Sequence, residues 1–472
     1  MRSSRVKLFN RTKDIDMTSG GIMGKLIAFS LPLALSGILQ LLFNAVDLIV
    51  IGQFSDTGSQ SLAAVSSNNA LISLIINVSL GLSVGANVVV AQSIGSKNRE
   101  RAQNAVHTAI LLSVICGVAV GLIGALCARY FLVWMKTDPL VLDKATTYLS
   151  IYFIGAPANI VYNFGAAILR AKGDTKRPLA FLAIAGVVNA CLNLIFVIVA
   201  KMDVAGVAVA TIISQYLSVV LVIIALMREK DYCKLVIKRL RIKKRELMDI
   251  IRIGLPSGIL SSFFSVANVI IQSSINGFGH QVMAGNATGA SLEAFVYTSM
   301  NAVASATTTF AGQCAGAKRY DRIKSLLVDS SAITIFISVV FGTAILLLGR
   351  PLSGLYTRDP VVIEYALDRM TVILPIYFVC GIVENFVGCL RGMNYAIAPM
   401  IPSFLCVCAY RIIWVYTAFK AQPTTLILYL SYPISWVLNL IMDIGMFAYA
   451  YNKVIRLSRN MREYRKTCCY LR

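Results

Sequence analysis

Histidine and paired cysteines, the residues that build most metal centres and disulfide frameworks, are nearly absent from this sequence. The chain has two histidines, His107 and His280, and its 11 cysteines are scattered without a C-x-x-C pair. Zinc sites and disulfide-stapled folds need such residues at close, regular spacings. We therefore predict no metal site, no disulfide framework and no bound cofactor.

Sequence motifs of common enzymes are missing as well. The chain contains no H-E-x-x-H, no glycine-rich phosphate loop ending in Lys-Ser or Lys-Thr, and no pattern typical of a Ser-His-Asp triad. These motifs hold a catalytic zinc, a nucleotide phosphate or an activated nucleophile. Their absence argues against ATP as the energy source. An intramembrane lipid-modifying enzyme, which would need His or Asp clustered at a membrane interface, is a minor alternative, and we predict no enzymatic activity.

Charged residues are scarce, at 14% of 472 residues, whereas hydrophobic residues make up 57%. One soluble core could not bury so much apolar surface, and this composition is typical of a polytopic membrane protein. The net charge of +22 would suggest nucleic acid in a soluble protein, but here the basic residues lie between apolar segments. Such a pattern indicates membrane topology. We predict an all-α protein in a lipid bilayer, with no nucleic-acid partner.

Apolar segments long enough to cross a hydrocarbon layer of about 30 Å occur twelve times. They lie near residues 26–52, 61–93, 104–128, 145–168, 178–200, 204–227, 247–275, 284–312, 326–349, 362–389, 398–419 and 424–451. Of the 44 Lys and Arg residues, 35 lie at the two ends or in alternate loops, those around Lys97, Lys172, Arg239, Lys318 and Arg391, and 8 lie in the opposite loops. Because cytoplasmic loops carry the excess of positive charge, we predict a plasma-membrane protein with both termini in the cytoplasm.

The first span carries a single acid in an otherwise apolar helix. Asp47 is the only ionisable residue between positions 26 and 51. The polar residues of this span are spaced to form one helical stripe, and they are Ser36, Gln40, Asn44 and Asp47. Lipid does not tolerate such a stripe, so it must face other helices or water. Pro32 removes a backbone hydrogen bond and predicts a bend in the first half of the helix.

The chain repeats itself at an offset of 221 residues. Gln92, Gly95, Lys97 and Arg101 recur as Gln313, Gly316, Lys318 and Arg322, and Asp138-Pro139 recurs as Asp359-Pro360. Each half has six spans, so both halves enter the membrane from the same side, as parallel repeats do. The predicted organisation is a basic cytoplasmic segment (1–25), a first lobe (26–227), a cytoplasmic linker (228–246), a second lobe (247–451) and a basic cytoplasmic tail (452–472).

Amides and hydroxyls on the fourth, fifth and sixth spans could surround the acid of the first lobe. They are Asn163, Asn189, Asn193 and Thr211. An unpaired charge at the bilayer centre is costly, so a carboxylate in polar surroundings there could bind and release a proton near neutral pH. We predict that these residues and Asp47 form a cation-coupling site. The alternative is that Asp47 only hydrogen-bonds neighbouring helices together.

The second lobe carries its polar residues at other positions, with Ile271 in the place of the first-lobe acid. The predicted substrate cavity draws on both lobes, through Gln40, Asn44, Asn268, Gln272, Glu293, Tyr297 and Glu384. Carboxylates and aromatic rings attract organic cations, so we predict small cationic compounds as substrates.

Other residues of the second lobe are predicted to have structural roles. Arg411 lies deep in a span and should neutralise an acid, with Glu384 as the candidate. Asp443 lies towards the cytoplasmic end of its span and is predicted to be solvated. An aromatic belt at the outer membrane interface is predicted from Tyr429, Tyr432 and Trp436.

Four segments together resemble the multidrug and toxic-compound extrusion (MATE) family of the wider flippase superfamily. They are LPLALSGILQLLFNAVDLIVIGQF (31–54), the A-Q-x-x-G-x-K turn after the second span, LRAKGDTKRP (169–178) and LSYPISW (430–436). The resemblance implies a V-shaped pair of six-helix lobes with a central cavity. It also implies export of amphipathic, often cationic compounds in exchange for protons or sodium ions by alternating access.

The resemblance also assigns residues. Asp47 matches the first-helix acid that similar proteins use for cation coupling, Asn189 and Thr211 match polar residues beside it, and Glu293 matches an acid often found in the eighth helix. One position departs from the pattern, because many relatives have a second acid where this chain has Asn193. The choice between H+ and Na+ therefore stays open.

The runner-up function is a lipid-linked oligosaccharide or lipid flippase of the same superfamily. Such proteins commonly have extra helices or a strongly basic cavity, and this sequence shows neither. The expected partners are small organic substrates and the lipid bilayer, and the chain is expected to be a monomer.

Overall fold

The computed structural model describes residues 15–54, 61, 64–65, 68–135 and 137–470. Within these ranges twelve long helices follow one another, and they confirm the predicted all-α, twelve-helix fold. They are α1 (Met23–Phe54), α2 (Asn69–Gly95), α3 (Arg99–Trp134), α4 (Pro139–Ile154 and Ala156–Lys172), α5 (Lys176–Val199), α6 (Asp203–Arg228), α7 (Lys244–Asn276), α8 (His280–Gly316), α9 (Tyr320–Leu347), α10 (Pro360–Gly392), α11 (Met400–Phe419) and α12 (Thr425–Tyr470).

Length and apolarity make eleven of these helices candidate membrane spans. Ten single helices among the described residues are long and apolar enough to cross a bilayer, and the two halves of α4 pass the same test together. The remaining helix, α8, has 37 residues and is long enough, but it is less apolar because Asn286, Glu293 and Asn301 lie along it. Polar groups within a span must be buried against protein or face water.

Helix α4 is broken immediately before Pro157. The helix stops at Ile154, passes through Gly155, and restarts at Ala156 at an angle of 44°. Proline at the first turn of the second half cannot continue the preceding hydrogen-bond ladder. Helix α1, in contrast, is continuous through Pro32, and the bend predicted there stays a prediction.

Glycines spaced four apart bring two helices into backbone contact. A Cβ built on Gly81 would lie 2.2 Å from the backbone nitrogen of Gly258, and one on Gly85 would lie 2.3 Å from the Ile250 carbonyl oxygen. Any larger side chain would force α2 and α7 apart at this point. Small residues at such crossings allow the close van der Waals packing that holds membrane helices together.

The 221-residue repeat produces the same local backbone twice. Lys97 and Lys318, which end the corresponding motifs, both adopt the left-handed conformation, with φ of 56° and 58°. Asp138 and Asp359 both cap the following helix, each accepting a hydrogen bond from the amide two residues ahead at 2.9 Å. The repeated residues are therefore the ones that determine helix starts and turns.

The chain forms two compact units. The described residues within 35–94 and 98–258 belong to the first unit, and those within 16–34, 95–97 and 259–470 belong to the second. The predicted domain borders at 26, 228, 247 and 452 stay predictions. We keep the terms first lobe and second lobe for the two halves of the repeat.

The core of the second unit contains the aromatic residues that were expected at the membrane interface. Tyr429 is 1% exposed, Tyr432 9% and Trp436 5%, and the ring of Trp436 lies 5.3 Å from that of Tyr377 on α10. The predicted interfacial belt is therefore wrong. The three residues share the face of α12 that packs inside the unit, and spacing along a helix does not reveal which face that is.

A buried charge network lies where α4, α5 and the end of α6 meet. Lys172 donates to one carboxylate oxygen of Glu229 at 2.6 Å, and Arg177 donates to the other at 2.5 Å. Arg177 also pairs with Asp174. Burial raises the pKa of Glu229, but the hydrogen bonds and charges of Lys172 and Arg177 outweigh it, so the pKa of this carboxyl lies below its ordinary value.

We expect Glu229→Gln to lower the free energy of unfolding by about 3 to 5 kcal/mol, because it removes one partner from a buried ion pair. The depressed pKa means that the stabilisation is present at pH 7 and is lost as pH falls through the folded-state value. Thermal unfolding in detergent measures both effects. The control is Glu364→Gln, whose exposed partner is Arg350 at 2.6 Å, and it should cost about 1 kcal/mol or less. Equal effects of the two variants would contradict the prediction.

Candidate functional site

Asp47 lies at one end of a chain of hydrogen bonds that joins α1, α5 and α6 in the first lobe. The side-chain amide of Asn193 donates to the Asp47 carboxylate at 2.5 Å, and it also approaches the amide oxygen of Asn189 at 3.4 Å. Asn189 in turn donates to the hydroxyl of Thr211 at 3.4 Å. The structure thus brings together four of the five residues predicted to form the coupling site.

The carboxylate has no cationic partner in the part of the chain that the structure describes. No Lys, Arg or His of the described chain lies within salt-bridge distance of Asp47, which is half-buried, while Asn193 is fully buried. The side-chain oxygen of Asn193 has no hydrogen-bond partner among the described residues. Because an amide can be turned to present either its NH2 group or its oxygen, Asn193 can donate to a carboxylate or accept from a carboxylic acid.

The fifth predicted residue of the site makes other contacts. Asn163 donates to the backbone oxygen of Asn159 at 2.9 Å and to its side-chain oxygen at 3.0 Å, both on its own helix. Gln40 and Asn44, assigned from sequence to the substrate cavity, are exposed on α1. None of these three residues joins the hydrogen-bond chain that ends at Asp47.

Two tyrosines near Asp47 were missed by the sequence interpretation. Tyr148 and Tyr152 lie on the first half of α4, close enough to the carboxylate to interact with it electrostatically. Their rings are stacked with centroids 6.1 Å apart, and Tyr152 lies beside the Gln215 side chain. The four-residue spacing of the tyrosines placed them on one helix face, but nothing in the sequence indicated that this face is turned towards α1.

The second lobe contains a buried ion pair at Glu293. The Arg369 guanidinium donates to both carboxylate oxygens, at 2.9 and 2.7 Å, and its third nitrogen donates to the Asn286 side chain at 2.6 Å. Asn286 donates to Gln272 at 2.9 Å, which extends the network to α7. Both charged side chains are at least 90% buried. Two parallel hydrogen bonds in a dry environment make this a strongly oriented pair.

This pair corrects the role predicted for Glu293, which was expected to offer a free negative charge to substrate cations. Arg369 already neutralises the charge. The sequence interpretation counted Arg369 among the eight basic residues of the opposite loops, although it lies inside the predicted span 362–389. In the repeat, Arg369 occupies the position of Tyr148 in the first lobe, so the two lobes use this position for different chemistry.

Arg411 does not pair with Glu384, and that prediction is wrong. Its guanidinium donates to the Ser435 hydroxyl at 3.2 and 3.0 Å and to the Asn268 side chain at 3.0 Å. The ring of Tyr432 lies 4.3 Å from the guanidinium carbon. Glu384 interacts electrostatically with Arg391 on its own helix and with Tyr297 on α8. A helix turn separates Glu384 from Cys380, the residue of α10 that lies near Arg411.

Asp443 is also placed differently from its prediction. It is fully buried rather than solvated, and neither carboxylate oxygen has a hydrogen-bond partner in the part of the chain that the structure describes. Its electrostatic neighbours are Glu384 and Arg391. Across the described residues, no group of three or more His, Cys, Asp or Glu side chains is arranged to hold a metal ion.

Comparisons with known proteins agree with this architecture. The sequence model of the MatE family matches residues 32–195 and 256–417, one segment in each half of the repeat. A probable multidrug resistance protein of Bacillus subtilis, YpnP, is 27% identical over 82% of this chain and 86% of its own length. A FAD transporter of Shewanella oneidensis is 25% identical over 80% of this chain and 83% of its own length.

Solved structures share the fold at low sequence identity. One, described as the outward-facing conformation of a multidrug resistance MATE family transporter, has a TM-score of 0.86 at 20% identity and covers 95% of this chain and 99% of its own. Another, a transporter of Pyrococcus furiosus described as having a binding pocket of reverse polarity, has a TM-score of 0.85 at 21% identity with the same coverage. The family match spans more than half of the sequence and both six-helix halves, so the chain belongs to the MATE family of membrane transporters.

Proposed function

We propose that this protein is a secondary active antiporter of the plasma membrane that exports small amphipathic organic compounds in exchange for H+ or Na+ by alternating access. The observation that carries the proposal is Asp47, a half-buried carboxylate within a membrane helix, with an amide partner and, among the described residues, no cation beside it. The protein would act as a monomer with both termini in the cytoplasm.

The surroundings of Asp47 suit a group that changes its charge during transport. A permanent salt bridge would hold the carboxylate ionised, whereas the Asn193 amide can hydrogen-bond either the ionised or the protonated form. Asn189 and Thr211 extend the same network to α6, so a change at Asp47 is felt by three helices. A proton that crosses 100 mV releases about 2.3 kcal/mol, enough to concentrate a substrate roughly fiftyfold.

The choice of substrate is less tied to cations than the sequence indicated. The predicted cation preference relied on Glu293, and Arg369 neutralises that acid. The names of the relatives suggest more than one class of substrate, because several are named as multidrug resistance proteins and one as a FAD transporter. We therefore propose small organic compounds that include uncharged, zwitterionic and anionic molecules.

Transport into proteoliposomes under separately imposed gradients tests this function. Purified protein is reconstituted, and uptake of a fluorescent organic compound is followed with a proton gradient alone, a sodium gradient alone, or neither. We expect one gradient to drive accumulation of the compound inside the liposomes above its external concentration. Adding the ionophore that dissipates this gradient should abolish the accumulation. Equal uptake under all three conditions would contradict antiport.

A further inference from the structure

The second lobe contains a buried positive charge that no acid of the described residues neutralises. Arg411 is 1% exposed, and its three hydrogen bonds go to the neutral side chains of Ser435 and Asn268. Among the described residues, no Asp or Glu lies within salt-bridge distance of it. A guanidinium keeps its charge under all ordinary conditions, and an uncompensated charge in a protein interior is strongly unfavourable.

The charges around Arg411 do not remove this imbalance. The described groups that interact with it electrostatically are Tyr432, Cys380, Cys408, Tyr410 and the like-charged Arg369. Both carboxylate oxygens of Glu293 already accept hydrogen bonds from Arg369. Glu384 and Asp443 have Arg391, not Arg411, as their basic electrostatic neighbour. The Tyr432 ring lies near both Arg411 and Arg369, at 4.3 and 5.3 Å, and its π face offers only partial compensation.

The local backbone is also unusual. Helix α11 is α-helical only at Met400–Ser403 and at Tyr410–Trp414, the turn that carries Arg411, and each of these is followed by a π-helical segment, Phe404–Ala409 and Val415–Phe419. π-Helical turns are rare and occur frequently at functional sites, because they move side chains away from their regular positions. Here they lie on both sides of the turn that holds the unneutralised guanidinium.

One hydrogen-bond acceptor of the Arg411 guanidinium lies where another molecule could replace it. Asn268, which accepts from Arg411 at 3.0 Å, is exposed on α7. An anionic group that approached along this side could replace the Asn268 oxygen and accept from the same nitrogen. The Asn268 oxygen is neutral, whereas an anionic acceptor would add the attraction between opposite charges and would compensate the buried charge of Arg411, so the replacement would be favourable.

We propose that Arg411, together with Ser435 and Asn268, forms a binding subsite for an anionic group of the substrate, either a carboxylate or a phosphate. The planar guanidinium fork suits both groups. The inference rests on the proposed transport function and extends it, because it assigns anionic and zwitterionic compounds to a defined place in the second lobe. It also gives a reason for keeping a costly buried charge in a membrane protein.

Two pairs of fluorescent probes test the subsite by equilibrium binding to purified protein in detergent, with no ion gradient. Rhodamine 110 and rhodamine 123 differ only in that the second is the methyl ester of the first, and riboflavin 5′-phosphate and riboflavin differ only in the phosphate. We expect the wild-type protein to bind the acid of at least one pair about tenfold or more tightly than its neutralised partner, as one added charged contact provides. The pair that shows the preference identifies carboxylate or phosphate as the favoured group.

The Arg411→Gln variant should reduce that preference to about twofold or less while the affinity for the ester or for riboflavin stays close to wild type. Arg350→Gln removes an exposed arginine instead, one with a side chain 73% exposed, and it should leave the preference intact. Asn268→Asp supplies a carboxylate next to Arg411 from an exposed position. Asn268→Asp should abolish the preference for the acidic probe although Arg411 is still present. The test therefore does not depend on whether the Arg411→Gln variant folds.

Equal binding of acid and neutral probes by the wild-type protein would overturn the proposal, and so would a preference that survives Asn268→Asp. Failure of ion-driven transport is a separate result, because the binding measurement uses no gradient. A protein that prefers the acids but shows no gradient-driven uptake would keep the subsite and lose the antiport function. The reverse outcome would keep antiport and remove the subsite.

Discussion

The Asp47→Asn variant is expected to lose ion-driven transport completely while it still binds substrate. Asparagine has nearly the same shape as aspartate and can hydrogen-bond Asn193, so the network that joins α1, α5 and α6 should remain. It cannot gain or lose a charge, so a gradient can no longer act on this position. Under a potential of 100 mV, accumulation of roughly fiftyfold should fall to the level of empty liposomes.

The measurement compares gradient-driven uptake and substrate affinity for the same protein preparation. The matched control is Asp143→Asn, which removes an acid of the same lobe whose side chain is 84% exposed at the start of α4. That variant should transport like the wild type. If Asp47→Asn still accumulated substrate with the wild-type pH dependence, coupling would have to be assigned elsewhere, and the buried Asp443 would be the next candidate.

The Glu293→Gln variant should be strongly destabilised, by about 3 to 5 kcal/mol, because it leaves the Arg369 guanidinium buried without its acid. Arg369 would then become a second uncompensated positive charge near Arg411, with the Tyr432 ring close to both. The double variant Glu293→Gln/Arg369→Gln removes both charges and should recover most of the loss. Unfolding of the wild type, both single variants and the double variant in detergent completes the cycle and isolates the energy of the pair.

Measurements of substrate binding distinguish a structural role of Glu293 from the cation-binding role that the sequence predicted. If Glu293 mainly holds Arg369 in place, Glu293→Gln should weaken the binding of cationic and of neutral compounds to the same extent. A variant that unfolds like the wild type and loses affinity only for cations would contradict the structural role. It would restore Glu293 as a cation-binding acid.

Several features of the candidate coupling site were predictable from sequence. Asp47 is conspicuous because an acid in a long apolar segment must be buried by other helices. Asn189 and Asn193 are four residues apart on one predicted span, so they had to share a helix face. The structure adds that this face meets Asp47, and it adds Tyr148 and Tyr152, whose orientation depends on how α4 packs.

The second lobe was less predictable, and the reason is the same for each error. Glu293 and Arg369 lie 76 positions apart, and Arg411 and Asn268 lie 143 apart. Partners so distant in sequence meet only through the rotation of each helix about its axis and its depth in the unit. Neither quantity follows from periodicity, because a helix that is apolar on most sides has several faces that could be turned inwards.

By itself the sequence determined the membrane class, the twelve helices, the 221-residue repeat and the acid of α1. These features depend on hydrophobic length and on local backbone chemistry, such as the Asp-Pro caps and the break beside Pro157, which act within a few residues. Only the tertiary structure decided which buried charges are paired. It joined Glu293 to Arg369, and it left Arg411 with neutral partners and Asp443 without a hydrogen bond among the described residues, because burial makes the energy of each charge depend on neighbours from other helices.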